Sequence, residues 1–429
     1  MCSSPTSARD RVMAMVWYEI KKILLRPSCQ VALLLLLLLS GRFCIQVMWG
    51  TESAYWITEA GERQTGPAAM KKLRAAQQEW SGPLDQELLQ KALAELKRLD
   101  VEGKAHPENP DYAFRRYQGL MRIRDMLNFS FKSGYGWEYQ DFFLAETLDE
   151  SQLPKFYENR VTQLKQWLYD ETDIANTLFT EEEKQYLIHN YESVKTPFQV
   201  GYTTGWDMAW RVSYYIILYG SLFITFLVSG IFANEFRWKA DSVYFSTELG
   251  RKRGTLSKLA AGFLLTTLVF WGILLSVNLL VLGIMGFDGW NCTIQTGKGL
   301  WRGIYNVNFA QRNLLSLMDG YLLWMFLSGL VMLVSAVSRS VSLAVVVPSL
   351  LMLGTDYLDR SGVVSSVSKV LQLFPHKMAN VDYASRGIVL YSVFGKIMPP
   401  IAIQRVLYPC LTVAMGLLCY ELFRRKQIR

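Results

Sequence analysis

The chain has 429 residues, a hydrophobic fraction of 51% and a mean hydropathy of +0.13. Its apolar residues come in long blocks, which excludes an ordinary soluble protein. The net charge of +8 does not indicate a nucleic-acid partner, because the basic residues cluster beside the apolar blocks. The six cysteines include no pair that reads as a disulfide framework or a CxxC metal site.

Residues 1–27 are predicted to be a cytoplasmic tail followed by an amphipathic helix. In the segment from Arg9 to Pro27, apolar residues recur at helical spacing among basic ones. Such a helix lies in the membrane interface with its cations toward lipid phosphates. A charged flank that only orients the next segment is an equal alternative.

Residues 28–49 are predicted to form the first membrane span. Only Val, Ala and Leu occur from Val31 to Leu39. The apolar run from Cys29 to Trp49 reaches the roughly 20 residues that a bilayer core requires. A cleaved signal peptide is the alternative, but the run is longer than a signal peptide's apolar region and no small-x-small cleavage site follows it.

Arg42 is predicted to be a membrane-buried charge within this span. An ionisable group at that depth is costly and usually faces a partner or a cavity. Arg42 therefore lines a substrate path, snorkels to the outer surface, or pairs with a structural partner.

Residues 50–208 are polar and rich in aromatic residues, and they are predicted to form a mostly helical domain outside the cell. One helix is indicated by an apolar stripe at helical spacing: Leu84, Leu88, Leu89, Ala92, Leu93, Leu96 and Leu99. A second helix is predicted to begin with Asn109 as its cap and to continue through Tyr117, Leu120 and Met121. Two pairs have the spacing of capping boxes: Thr147 with Glu150, and Thr180 with Glu183. No run of alternating residues predicts a sheet.

Five further apolar runs complete a prediction of six spans. The second span is residues 209–233, residues 259–358 contain the third to fifth spans, and the sixth span is residues 401–423. Counted from a cytoplasmic start, residues 286–319 and 359–400 are external, and residues 234–258 and 424–429 are cytoplasmic. The strongly basic segments then all lie in the cytoplasm, as does each terminus, so span count and charge placement agree.

Residues 234–258 combine charges of both signs with large aromatic side chains. The aromatic residues are Phe236, Trp238, Tyr244 and Phe245. Aromatic groups among charges, held between two spans, predict a docking surface for a cytoplasmic protein. Simple anchoring of Trp238 and Tyr244 in the membrane interface is the alternative.

Three motifs and their order extend this interpretation. They are Trp17-Tyr18-Glu19-Ile20-Lys21-Lys22-Ile23-Leu24, then Phe232-Ala233-Asn234-Glu235, then Ser246-Thr247-Glu248-Leu249-Gly250-Arg251-Lys252, with Lys258 opening the third span. With these motifs, the membrane part of the chain resembles the permease subunit of ABC-2-type transporters. Residues 50–208 depart from that family, since many members have a short loop there.

The resemblance implies an all-α polytopic membrane protein with about six transmembrane helices, an N-terminal amphipathic helix, a cytoplasmic coupling helix and a mainly helical extracellular domain. The coupling helix of this family docks in a groove of a separate ATPase. Seven residues are expected in or beside that contact: Glu235, Tyr244, Ser246, Thr247, Gly250, Arg251 and Lys252. Glu19, Lys21 and Lys22 are expected on the interfacial helix. Residues 359–400 are expected to dip into the outer leaflet as re-entrant helices, with an ordinary external loop as the alternative.

The sequence contains no GxxxxGK[ST] phosphate loop, so the chain is expected not to be an enzyme and to hold no cofactor or metal. ATP and Mg are expected in the partner ATPase. The expected function is a permease, dimeric with a second copy or a related permease, that exports an amphipathic substrate (a peptide, lipid or drug-like molecule) by alternating access in a bacterial cell membrane. The alternative is a membrane sensor, or a mechanotransmitting ABC-associated protein, whose extracellular domain binds a ligand. A membrane-embedded enzyme lacks a recognisable catalytic constellation.

Overall fold

The chain is mostly helical, as predicted. The computed structural model describes residues 8–50, 54–100, 115–135, 144–171, 174–247, 250–360, 369–381, 383 and 389–425. Six helices among these residues are long and apolar enough to cross a membrane, so the chain is a multi-pass membrane protein. The helix start predicted at Asn109, and the motif residues Glu248 and Leu249, lie outside the described residues.

Two helices begin the described chain, α1 (Ala8–Leu24) and α2 (Pro27–Trp49). Helix α1 is amphipathic as predicted, since Val16, Ile20 and Ile23 are buried at helical spacing. Helix α2 contains the long leucine run and is the first candidate span.

The domain between the first two candidate spans is built from short helices and two small antiparallel sheets. Its elements are β1 (Tyr55–Ile57), β2 (Arg63–Thr65), α3 (Pro67–Gln78), β3 (Gly82–Pro83), α4 (Gln86–Leu99), α5 (Met121–Phe131), α6 (Leu144–Thr147), α7 (Phe156–Tyr169), α8 (Ile174–Leu178), α9 (Glu181–Ser193) and β4 (Gln199–Val200). Strand β1 pairs with β2, and β3 pairs with β4. We call residues 54–203 the inserted domain.

Local predictions in the inserted domain have mixed outcomes. The leucine stripe forms α4, and Thr180 with Glu183 forms a capping box. The prediction for Thr147 is wrong, because its hydroxyl donates to the carbonyl of Leu144 and Asp149 supplies the next cap.

The second helix predicted in this domain, through Met121, is interrupted. Residues 115–116 are helical, residues 117–120 form a turn, and α5 begins at Met121. A turn precedes it, because Gln118 turns its amide to both the N–H and the carbonyl of Ile57 in β1. In addition, a side chain at Gly119 would come within 2.6 Å of the Ala76 carbonyl oxygen, so the close approach of the turn to α3 requires glycine.

Five further candidate spans follow the inserted domain, with shorter elements between them. In chain order these elements are α10 (Thr204–Arg237), α11 (Asp241–Ser246), α12 (Thr255–Met285), α13 (Phe309–Ser338), α14 (Val341–Arg360), α15 (His376–Ala379), β5 (Tyr391–Val393), β6 (Lys396–Met398) and α16 (Pro400–Arg424). The candidate spans are α2, α10, α12, α13, α14 and α16. Helices α10 and α13 form the centre of the bundle.

Helix α13 begins at Phe309, whereas the sequence pattern placed residues 286–319 outside the span. Asn308 caps the helix by accepting from the N–H of Gln311 at 2.8 Å. The polar residues in its first turns misled the prediction, because each has a partner within the bundle. Asn313 donates to Asn278 of α12 at 2.8 Å, for example.

Residues 286–308, between α12 and α13, are packed into the inserted domain. Trp301 is buried in the core of that domain beside Phe156. The fully buried Arg160 of α7 donates to the carbonyl of Trp301 at 3.0 Å and to that of Gly303 at 2.7 Å. The inserted domain is therefore attached to the bundle through this loop as well as through its own two ends.

The re-entrant helices expected within residues 359–400 stay a prediction, because much of this stretch lies outside the described residues. The described part contains helical residues at 369–371, the single-turn helix α15 and a hairpin of β5 and β6. Phe394 and Gly395 turn the hairpin with φ angles of 50° and 77°, and glycine adopts such a positive angle readily. Residues 361–368, 382 and 384–388 lie outside the described residues.

Candidate functional site

Four charged side chains from three helices meet at the end of the bundle opposite the inserted domain, which we call the loop end. Lys22 of α1 donates to Glu235 Oε1 of α10 at 2.7 Å. Lys258 of α12 donates to the same oxygen at 2.8 Å and to Glu19 Oε1 of α1 at 3.0 Å. We call Glu19, Lys22, Glu235 and Lys258 the charge cluster.

The charge cluster is largely shielded from solvent, with the side chain of Lys258 1% exposed and that of Glu235 7% exposed. A buried charge without a partner costs several kcal/mol, on the order of 3–5 when one partner of a pair is removed. Two carboxylates and two ammonium groups balance one another here. The cluster therefore fixes α1, α10 and α12 to one another at a single point.

Local helix geometry explains how these residues meet. Glu19 and Lys22 are three residues apart on α1 and therefore share a face, and their nitrogen and oxygen atoms are 3.8 Å apart. Helix α1 packs mainly against α12, which brings that face to Lys258 near the start of α12. Glu235 is close to the end of α10, so its carboxylate reaches the same level.

An aromatic cluster beside the charges holds α11 against α10 and α16. Phe423 of α16 lies 5.1 Å from Phe245 and 5.7 Å from Tyr244, measured between ring centroids. Phe236 of α10 lies 6.1 Å from Phe245. Burial raises the pKa of Tyr244, so its hydroxyl stays neutral, and it lies 3.4 Å from Thr255 Oγ1.

The residues after α11 form the exposed side of this site. Ser246, Thr247, Arg251 and Lys252 are exposed. Thr247 Oγ1 accepts from the N–H of Gly250 at 3.0 Å. A side chain at Gly250 would come within 2.2 Å of the Tyr244 carbonyl oxygen, so the tight return of the chain toward α12 requires glycine.

The structure divides the seven residues expected at an ATPase contact into two groups. Glu235 is buried in the charge cluster and Tyr244 packs into the aromatic cluster, so both lie beneath the surface. Ser246, Thr247, Arg251 and Lys252 lie on it, with Gly250 half-buried among them. A contact with a second protein would therefore be made by the surface residues around Arg251 and Lys252. Glu235 and Tyr244 would support these residues from beneath.

Lys21 and Arg42 lie apart from this site. Lys21 is exposed on α1, on the opposite side from the buried residues of that helix. Arg42 is exposed on the surface of α2 and donates to Gln46 Oε1 at 3.0 Å. Its side chain is thus outside the packed interior of the bundle, and its depth in a membrane stays a prediction.

A second buried ion pair of the bundle, near its other end, was not predicted from the sequence. Arg405 of α16 donates to both carboxylate oxygens of Asp319 in α13, at 2.7 and 2.8 Å. Asp319 is 1% exposed. The sequence shows two opposite charges, each inside a long helix. Because 86 residues separate them, no local pattern indicates that they form an ion pair.

A further ion-pair group joins the inserted domain to the bundle. Asp207 of α10 accepts from Arg312 of α13 at 2.8 Å and from Arg122 of α5 at 3.4 Å. It links two candidate spans to a helix of the inserted domain.

The chain matches no protein-family model, no curated protein and no solved structure. Its function is therefore inferred from the site. Among the described residues, no group of three or more His, Cys, Asp or Glu side chains is placed to hold a metal ion. The site is suited to transmitting force between helices, because its buried charges and rings connect an exposed segment to α1, α10, α12 and α16.

Proposed function

We propose that this chain is the permease subunit of an ATP-driven ABC exporter. The observation that carries the proposal is the loop end: a short helix and a basic exposed segment rest on a buried charge cluster and an aromatic cluster. An exposed segment that lies between two spans and is supported from beneath is suited to docking in a groove of another protein. The motif resemblance supports an ATPase as that protein.

The proposed mechanism is alternating access. When two ATPase subunits close on ATP and Mg, they push the segment that contains Ser246, Arg251 and Lys252. The aromatic cluster passes this displacement to α10 and α16, and the charge cluster passes it to α1 and α12. The rings of the aromatic cluster are packed together and the charges of the charge cluster are paired. The four helices therefore move together and not one at a time.

The proposed complex has two permease chains, identical or related, in a bacterial cell membrane with both termini in the cytoplasm. The inserted domain then lies outside the cell. The proposed substrate is amphipathic, a peptide, a lipid or a drug-like molecule. The support for this class is the large number of aromatic side chains in the inserted domain, which suit an amphipathic molecule.

A sensor or mechanotransmitting protein is the second candidate function. It is favoured by a cavity of about 900 Å³ in the inserted domain, between β1, α3 and the end of α4. Trp56, Trp80 and Glu95 are among its lining residues. A ligand there could act on α12 and α13, because the loop between these helices is buried in the same domain.

The proposal is tested by isolating the tagged chain from its native membrane and identifying the proteins that remain bound. We expect an ABC ATPase in the wild-type sample and its loss from the double variant Arg251→Glu/Lys252→Glu. Arg424→Glu/Arg425→Glu is the matched control, since it reverses another basic pair near the end of α16, and it should retain the ATPase. ATP hydrolysis by the purified chain alone, or an ATPase retained by the first variant, would contradict the proposal.

A further inference from the structure

Arg26, which precedes α2, lies in a notch on the side of α10. Its Nη1 atom is 2.8 Å from the position that a side chain at Gly230 would occupy. Its guanidinium carbon lies 5.0 Å from the centre of the Trp238 ring. Gly230, Asn234 and Trp238 are spaced by four residues, so they form one face of α10. The guanidinium is thus held at the point where α2 and α10 both reach the loop end.

Arg26 differs from its neighbour Lys22 in having no carboxylate partner. Lys22 turns inward to Glu235, and the two carboxylates of the charge cluster are balanced by Lys22 and Lys258. No residue in the described parts of the chain forms an ion pair with Arg26, and its buried Nε atom has no hydrogen-bond partner there. Burial lowers the pKa of Arg26, but an arginine remains charged at neutral pH. Glu19 and Glu235 attract Arg26 through space, but both carboxylates are paired directly with Lys22 and Lys258. The half-buried guanidinium therefore has no ion-pair partner of its own among the described residues.

The surroundings of Arg26 match the boundary between lipid tails and headgroups. Leu25 is exposed beside it, and Trp238 is 50% exposed. Tryptophan is enriched at this boundary, where an apolar body and a polar edge are both accommodated. Arg237 and Lys239, on either side of Trp238, are also exposed and add positive charge. Both adjoining helices are candidate spans, so lipid is the molecule that reaches this notch.

We propose that the notch formed by Arg26, Gly230 and Trp238 binds the phosphate of an anionic phospholipid. The guanidinium donates to the phosphate oxygens, for which its fork of N–H groups is well matched. The acyl chains lie against the exposed apolar faces of α2, beginning at Leu25. The bound lipid supplies the direct ion-pair partner that the described residues do not provide at Arg26.

Native mass spectrometry of the full chain tests this proposal, with phosphatidylglycerol and phosphatidylcholine added separately after delipidation. The wild-type chain should retain one phosphatidylglycerol molecule more than Arg26→Gln does. The affinity of Arg26→Gln for phosphatidylglycerol should be about tenfold weaker, as expected for the loss of a charged hydrogen bond. Lys97→Gln removes an exposed cation from α4 of the inserted domain, away from the loop end, and should behave as wild type.

Three results would overturn the proposal. They are equal phosphatidylglycerol occupancy in wild type and Arg26→Gln, equal retention of phosphatidylcholine, and displacement of the lipid by soluble glycerol phosphate, which would indicate a site for a free phosphate. If Arg26→Gln does not fold, Gly230→Ala gives the same test, because it keeps every charge and fills the notch. An occupancy in Gly230→Ala equal to that of wild type would then refute the proposal.

Discussion

Lys258 and Glu235 form an ion pair of 2.8 Å although their side chains are only 1% and 7% exposed. The pair joins the start of α12 to the end of α10, on either side of the exposed segment. Lys22 completes the arrangement by donating to the same carboxylate oxygen. The loop between these two candidate spans is therefore anchored at its base by buried charges.

Replacing Lys258 by Met should destabilise the protein strongly. The change leaves Glu19 without its closest partner and Glu235 with Lys22 alone, at a cost of about 3 kcal/mol, typical of breaking a buried ion pair. Thermal unfolding in detergent measures the effect. Arg251→Met, an exposed cation in the same segment, should cost less than about 0.5 kcal/mol. Equal losses in the two variants would show that the charge cluster is not a stabilising anchor.

Replacing Arg405 by Met should also be costly, because it leaves Asp319 charged and buried within α13. We expect a loss of about 3 kcal/mol, and we expect the added substitution Asp319→Asn to recover part of it, since the amide carries no charge. Arg424→Met on the same helix breaks only a surface pair with Glu421 and should cost about 1 kcal/mol or less. A strictly additive double variant would mean that the two side chains are not coupled.

Replacing Arg160 by Met should loosen the loop between α12 and α13 from the inserted domain. The change removes hydrogen bonds to three buried carbonyls, those of Tyr191, Trp301 and Gly303. The Gly303 carbonyl keeps its bond from Gln295 Nε2 at 2.9 Å, whereas the Trp301 carbonyl loses its side-chain donor. Amide hydrogen exchange in residues 299–305 should become about tenfold faster or more, since an unsatisfied buried carbonyl costs about 1–3 kcal/mol. Lys165→Met on the same helix removes only an exposed pair with Glu192. If residues 299–305 exchange at the same rate in both variants, Arg160 does not attach this loop to the inserted domain.

Asp125 of the inserted domain should make stability depend on pH. Burial raises the pKa of Asp125 to about 6, compared with about 3.9 for an unfolded carboxyl group. The folded protein therefore binds this proton more tightly, and the resulting stability is present below about pH 4 and is lost as the pH rises through about 6.

The matched variant is Asp125→Asn, which cannot ionise. Its melting temperature relative to wild type should increase between pH 4 and pH 7, because wild type alone then carries the buried charge. A difference that stays constant over this range would show that Asp125 titrates normally.

The six candidate spans could be predicted because membrane insertion depends on the local density of apolar residues. The first span, predicted at residues 28–49, agrees closely with α2 (Pro27–Trp49). Where a span contains polar residues, the same reasoning fails. Helix α13 begins earlier than predicted because Arg312 and Asp319 obtain partners from Asp207 and Arg405, which are distant in the sequence.

The sequence pattern selects residues of the candidate site but does not indicate which of them are buried. Motifs selected Glu235, Tyr244 and Arg251 together, yet the structure places the first two beneath the surface and the third on it. Burial depends on contacts between Lys22 and Glu235 across 213 residues, which a local pattern does not contain. The hairpin of β5 and β6 was missed for another reason: its strands are too short to produce an alternating pattern.

The measurement that tests the proposed permease most directly is photo-cross-linking from position 246 in the native membrane. Ser246 is replaced by a benzoylphenylalanine residue, and the cross-linked protein is identified by mass spectrometry. Glu158, an exposed residue of α7 in the inserted domain, carries the same group in the control. We predict that position 246 cross-links to an ABC ATPase and that position 158 does not. The account would be contradicted if position 246 cross-links to other proteins but not to an ATPase. It would also be contradicted if positions 246 and 158 cross-link to the same ATPase.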